Sequence, residues 1–191
     1  MKSAPHLLVF DGFADWEPAY ATAELRRSGN YQVVTLGYTG EPVVSMGGLC
    51  ILPDYDLAEL DAELVRLLIL PGGDRWEGEP LDPALAALLT HLMGRGVPIA
   101  AICGATMALA RAGLLNGRKH TSNGLEYLTQ QVPEYSGAAD YVNELAVRDR
   151  GLITANGLGA VEFAREIFAE LGVFSTEERE IWYRLFKTGK E

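Results

Sequence analysis

Three short stretches hold the side chains and backbone groups that could do chemistry. The first is Cys103, placed between the apolar run Val97-Pro98-Ile99-Ala100-Ala101-Ile102 and the small residues Gly104 and Ala105. The second is Glu17, set between Trp16 and Pro18. The third is Pro71-Gly72-Gly73-Asp74, directly after the apolar run Arg66 to Leu70. A cysteine at a strand-to-helix turn faces the N–H groups that the first helical turn leaves unpaired. That setting favours the thiolate, which attacks electrophiles. The small residues after Cys103 let a tight elbow form with the sulfur reachable. A buried cysteine packed as a small hydrophobe is the competing reading of the same position. A carboxyl group at Glu17 suits acid–base work, or it simply caps a helix. The glycines of Pro71–Asp74 bring backbone N–H groups close to a ligand, or form an ordinary turn.

The elements that must position these groups follow from the hydrophobic pattern. His6 to Phe10, Tyr31 to Tyr38, Arg66 to Leu70 and Val97 to Ile102 read as strands, the last as a buried parallel one. Helices are expected from Pro18 to Ser28, from Asp82-Pro83 to about Met93 or Arg95, and from Gly104 to Ala112 with Gly113 as its stop. Gly40 to Leu52 reads as a small hairpin in which Cys50 is packed. Pro53 to Leu60 reads as a solvated turn and short helix, and Trp76 to Pro80 as a loop lining a pocket. Arg118 to Asn123 reads as a short polar strand, with His120 and Ser122 on one face and Thr121 and Asn123 on the other. A helix follows from Gly124 to Gln131, then strands at Tyr141 to Arg148 and Leu152 to Ala155, and helices at Ala160 to Leu171 and Thr176 to Lys187. In the last helix Ile181, Trp182, Leu185 and Phe186 make an apolar stripe for the core or a partner chain.

Strands alternating with helices predict one α/β domain over residues 1–191, a doubly wound, mainly parallel sheet with helices on both faces. The strand ends after Phe10, Leu70 and Ile102 then converge on one rim, where such sheets bind ligands. Glu17, Gly72-Gly73 and Cys103 meet there.

Composition narrows the function. The 191 residues carry a net charge of −10 and no Lys/Arg cluster. Nucleic-acid and anionic-membrane binding need a concentrated basic surface, so neither is expected. No apolar stretch reaches membrane-spanning length. Cys50 and Cys103 are two thiols without metal-ligand spacing, and His6, His91 and His120 are scattered. A cytoplasmic protein without metal or other cofactor is expected, with His91 in a surface or packing role.

Five motifs in order resemble the DJ-1/PfpI (ThiJ/PfpI) superfamily, which is related to class I glutamine amidotransferase domains. They are Asp11–Glu17 (D-G-F-A-D-W-E), Leu70–Asp74 (L-P-G-G-D), Ala100–Thr106 (A-A-I-C-G-A-T), Ala112–Arg118 (A-G-L-L-N-G-R) and Thr154–Ala164 (T-A-N-G-L-G-A-V-E-F-A). The resemblance implies a flavodoxin-like three-layer sandwich, a homodimer and a small-molecule substrate. It implies Cys103 as nucleophile, Glu17 as its acidic partner, and the N–H groups of Gly73 and Gly104 as an oxyanion hole. Two departures stand out. Gly104 occupies the place of a histidine found after the cysteine in many hydrolytic members. Asn123 occupies the place of the histidine in a T-T-H pattern. Without a Cys-His pair, peptide hydrolysis lacks its usual proton carrier. An enzyme acting on small carbonyl or acyl compounds and a redox-sensing or stress-response thiol are both compatible with such a site, as is a binding module without chemistry.

Overall fold

The computed structural model describes residues 3–190. Its main sheet has seven strands: β1 (Ala4–Val9), β2 (Val34–Gly37), β5 (Tyr55–Asp56), β6 (Val65–Leu70), β7 (Ile99–Ile102), β8 (Ala146–Asp149) and β9 (Leu152–Ala155). The order across the sheet is β5-β2-β1-β6-β7-β9-β8. Every neighbouring pair is parallel except β8 with β9. A separate antiparallel ribbon joins β3 (Val43–Val44) and β4 (Cys50–Ile51). The central strands carry continuous apolar runs because both faces are covered: Leu8, Leu68, Ile69, Leu70 and Ile99 to Ile102 are fully buried. Each buried Leu or Ile contributes about 1.5–3 kcal/mol relative to exposure.

The helices are α1 (Trp16–Arg27), α2 (Arg75–Gly78), α3 (Pro83–Gly94), α4 (Thr106–Arg111), α5 (Leu125–Gln131), α6 (Ala160–Leu171) and α7 (Thr176–Thr188). From β1 the chain crosses through α1 to β2 in one direction. From β6 it crosses through α3 to β7 in the other. Right-handed crossovers in opposite directions put α1 and α3 on opposite faces. The direction changes between β1 and β6, so the crevice at their C-terminal ends is the switch point of the sheet. α1, α6 and α7 pack against one another in one layer.

Several sequence expectations change here. α1 starts at Trp16, so Pro18 lies within the first turn, where its missing N–H costs nothing because those amides have no helical partner. The polar stretch 118–123 is not a strand; His120 makes only an isolated bridge to Tyr141. Its side chains compete with any ladder: Thr121 Oγ1 donates to the Glu144 carbonyl, and Ser122 Oγ bonds Thr106 Oγ1 at 2.7 Å. The strand expected from Tyr141 shrinks to β8, because Val142 N and the Glu144 carbonyl bond His120 and Thr121 instead of a neighbouring strand. The segment 53–60 supplies β5, which pairs with β2 at the sheet edge. Cys50 is exposed, not packed, because the β3–β4 ribbon stands off the sheet. The ribbon is held from below by Asp11 Oδ1, which accepts from Val44 N, and Asp15 Oδ2, which accepts from Ser45 Oγ. Gly113 adopts φ +70 just past α4, the left-handed stop that ends the helix. No helix among the described residues is long and apolar enough to cross a membrane.

Candidate active site

Cys103 sits on the turn between β7 and α4 with φ 59, a left-handed backbone that only three non-glycine residues adopt among those described. Such a conformation costs on the order of 1–3 kcal/mol in a side-chain-bearing residue and clusters at functional sites. The turn runs through a short 3-10 segment, Cys103–Ala105, before α4 begins. Thr106 Oγ1 donates to the Cys103 carbonyl at 2.7 Å and fixes the elbow. Gly104 is packed against the indole of Trp76, whose ring atoms lie 3.2 Å from where a Cβ would stand. Trp76 itself is buried in α2 and donates from Nε1 to the Pro71 carbonyl at 2.8 Å. It therefore braces the Pro71–Asp74 turn and does not line the cleft, contrary to the sequence reading.

The carboxyl group of Glu17 reaches the same point from α1. It is 2% exposed, and Oε2 accepts from the Gly72 N–H at 2.6 Å. It lines the same cleft as the Cys103 thiol, and the two side chains crowd one point above Gly72. Gly72 has to be glycine: a Cβ there would lie 2.7 Å from Glu17 Oε2 and 2.8 Å from Cys103 Cβ. Gly73, at φ +152, is pinned by Phe10 and by the Gly12 carbonyl, each under 3 Å from an added Cβ. Its carbonyl accepts from Trp76 N, while its own N–H has no hydrogen bond among the described residues.

Burial pushes the Cys103 thiol above its ordinary pKa, and the Glu17 charge pushes it further; donors from Asn123 and the Gly104 N–H pull the other way. Burial likewise raises Glu17, against the pull of the Gly72 N–H and the thiol. Both directions are those expected of a carboxyl group set beside a thiol, and they oppose the pull of the helix towards a thiolate. α4 has only six residues and starts three residues after the cysteine, so its dipole is weak at the sulfur. Desolvation of a half-buried sulfur outweighs it. Two neighbouring acids raised together titrate as a coupled pair.

Asn123 is the site residue that sequence reasoning did not assign. Its Nδ2 donates to Cys103 Sγ at 3.3 Å, and its Oδ1 accepts from Gly157 N at 3.0 Å. The second bond fixes which end of the amide faces the sulfur. Gly157 also lies over the thiol: a Cβ there would be 3.0 Å from Sγ. His120 is elsewhere. It is fully buried, with Nε2 on the Tyr135 hydroxyl at 2.5 Å and Nδ1 on the Arg118 carbonyl. Burial lowers its pKa, and it brings no imidazole to the sulfur. His91 is exposed on α3. Among the described residues no group of three or more His, Cys, Asp or Glu is placed to hold a metal ion.

A cleft of about 440 Å³ opens onto Cys103 and Glu17, lined by Asn123, Asn156 and Gly157 and flanked by Trp16 and Leu158. Gly157→Ala is expected to slow alkylation of Cys103 by iodoacetamide about tenfold to a hundredfold, because the new methyl group covers the line of approach. Timed peptide mapping, which separates Cys103 from the exposed Cys50, reads this directly, and an unchanged rate would contradict the placement of Gly157.

A strained cysteine elbow beside a buried carboxyl, at the switch point of a mainly parallel sheet, defines a class of α/β sandwich with a built thiol site. The family model of the DJ-1/PfpI family matches residues 6–170, and the chain belongs to that family. A Bacillus subtilis (strain 168) relative named "Uncharacterized protease YoaZ" is 42% identical, covering 97% of this chain and 91% of its own length. The crystal structure of a thiJ/pfpI family protein from Bacillus anthracis matches with TM-score 0.91 and 40% identity, over 100% of this chain and 92% of that one. "Glutathione-independent glyoxalase DJR-1.2" of Caenorhabditis elegans is 29% identical over 78% of each chain. The names of relatives thus span protease, deglycase and glyoxalase.

Proposed function

We propose that this protein is a cysteine-dependent enzyme that acts on small carbonyl or acyl compounds, with α-oxoaldehydes as the substrates the site suits best. Cys103 is the nucleophile, Glu17 the proton carrier, and Gly73 and Gly104 the oxyanion donors. The observation that carries this reading is the buried Glu17 carboxyl set beside the Cys103 thiol at the floor of one cleft. A thiol held in this way is activated during attack, not beforehand. Its proton passes to the Glu17 carboxylate as sulfur bonds to the aldehyde carbon. The carbonyl oxygen takes the electron pair of the broken π bond. The unpaired Gly73 N–H meets that oxygen, and the Gly104 N–H turns to it as the sulfur loses charge. Glu17 then returns the proton to the oxygen, giving a thiohemiacetal. In an α-oxoaldehyde the same carboxylate moves the hydrogen on the aldehyde carbon, as a proton, to the neighbouring carbon, while the hydroxyl proton of the thiohemiacetal passes to the neighbouring ketone oxygen. The resulting thioester takes up one water, releasing a 2-hydroxy acid and the free thiol. No oxidant or reductant is consumed.

Relatives named deglycase and glyoxalase favour turnover over a pure redox sensor. The position of His120 weighs against peptide hydrolysis, because the leaving amine has no imidazole to protonate it. The test is turnover of methylglyoxal and phenylglyoxal, followed by appearance of the 2-hydroxy acid, beside a peroxide titration read by intact mass. Turnover supports the enzyme. A +32 Da product on Cys103 with no turnover of any carbonyl compound would leave the sensor.

Two further expectations belong to this reading. The free thiols Cys50 and Cys103 suit a reducing, cytoplasmic setting. The chain forms a homodimer: Val44, Met46, Leu49 and Leu52 are 46–67% exposed on and beside the β3–β4 ribbon, an apolar face that a second copy would cover. Sedimentation equilibrium should give twice the chain mass, with Leu49→Glu shifting it towards monomer. A monomeric wild type at micromolar concentration would contradict this.

A further inference from the structure

We infer that the cleft selects neutral carbonyl compounds with an apolar substituent, and that Trp16 and Leu158 hold that substituent. The inference rests on the reading of Cys103 as the attacking group. The seven residues lining the cleft include one carboxyl group, Glu17, and no cation. The acidic side chain of Glu77 stands nearby, bonded at 2.6 Å to the hydroxyl of Tyr127, whose ionisation the Cys103 charge also opposes. The whole chain carries a net charge of −10. An anionic substrate, such as a 2-oxo acid or a phosphate ester, finds no ion-pairing partner in the cleft and approaches a negative surface.

The flanks are apolar. Leu158 is 84% exposed and Trp16 51% exposed. A single exposed leucine on a surface needs no explanation. This one shares a cleft with the half-exposed indole of Trp16 and the sulfur of Cys103. It is also held still. Leu158 N donates to Asn156 Oδ1 at 2.9 Å, Gly159 N to the Asn156 carbonyl at 2.8 Å, and Asn156 N to the Leu145 carbonyl at 2.9 Å. Gly159 seals the turn, since a Cβ there would strike the Leu145 carbonyl at 2.4 Å. A leucine fixed in water on a tight turn gains nothing from its own fold, but it gives an incoming aryl or branched alkyl group a surface already in place. The glyoxal end of such a molecule lies at the sulfur and its apolar end between Trp16 and Leu158.

Three alkylating probes separate this inference from the reading beneath it: iodoacetate, iodoacetamide and N-benzyl iodoacetamide. In each, sulfur forms a bond to carbon and iodide leaves. Rates at Cys103 are followed by peptide mapping, to separate it from the exposed Cys50, and divided by the rates of N-acetylcysteine. The normalised rate for the benzyl probe should exceed that for iodoacetate by about tenfold or more, the scale of a modest apolar subsite. Leu158→Ser and Trp16→Ser should each cut that ratio severalfold; both side chains are exposed enough for the fold to survive their loss. Labelling of Cys103 with a ratio near one, or one favouring iodoacetate, overturns the inference and leaves the nucleophile standing. A high ratio that neither variant alters overturns the assignment to Trp16 and Leu158. No labelling of Cys103 by any probe overturns the underlying reading and the inference with it.

Discussion

Cys103→Ala is expected to reduce α-oxoaldehyde turnover by about 10⁴-fold or more, to a rate close to that of the substrate in buffer. The other groups of the site would remain. Glu17 would keep its bond from the Gly72 N–H, but nothing would bond to the carbonyl carbon. The fold should hardly notice. The lost group is a half-buried thiol bonded by Asn123, and the elbow is held by Thr106 on the Cys103 carbonyl and by Trp76 against Gly104 rather than by the sulfur. A stability change within about 1 kcal/mol is therefore expected. Progress curves with phenylglyoxal and a thermal melt check both halves. Substantial turnover in the variant would remove the covalent mechanism outright.

Glu17→Gln should separate activity from stability. Turnover is expected to fall by about 10²–10⁴-fold, the usual contribution of a positioned proton carrier. Glutamine keeps the shape and can accept from the Gly72 N–H, yet it neither takes the thiol proton nor delivers one to the oxyanion. Stability should move the other way at neutral and alkaline pH. Burial raises the folded-state pKa of Glu17 above its unfolded value. The neutral acid is then the form the fold favours. Its contribution is fully present below the unfolded carboxylate pKa and is lost as pH rises through the folded one. Glutamine is neutral throughout, so the variant should match the wild type in acid and exceed it by about 1 kcal/mol at higher pH. In a chain of this size that is a rise in Tm of about 2–4 °C. Melts across pH 4 to 9 would show the gap opening with pH; a gap that opened towards acid would mean that Glu17 is stabilised as a carboxylate.

The parts of the site that were legible in the sequence lie where local pattern decides structure. An apolar run that breaks into Cys103-Gly104-Ala105 has few options other than a buried strand feeding a turn. The position of Glu17 beside Pro18 placed it at the head of a helix, though two residues deeper than the proline suggested. Asn123 was marked only by its place in the family pattern, because its meaning lies in contacts with Cys103 and Gly157 made across the fold from a segment with no regular structure. The polar run 118–123 looks like an edge strand to any period-two reading. Hydroxyl bonds from Thr121 and Ser122 decide otherwise, and they depend on partners at Glu144 and Thr106. Cys50 and Trp76 failed in opposite directions. Cys50 has apolar neighbours in sequence but sits on a ribbon lifted clear of the sheet. Trp76 sits among polar loop residues but finds an acceptor at Pro71 and becomes part of the core.

The central claim is that the thiol of Cys103 and the carboxyl of Glu17 share one proton. The most direct measurement is the rate of Cys103 alkylation by iodoacetamide against pH, in wild type and in Glu17→Gln. Wild type should rise in two steps, the upper one above the free-thiol pKa of about 8.5. Glu17→Gln should rise in one step, at lower pH than that upper step, because the charge that pushed the thiol up has gone. Superimposable single-step curves would mean that the two groups do not communicate, and the proposed proton path would fail.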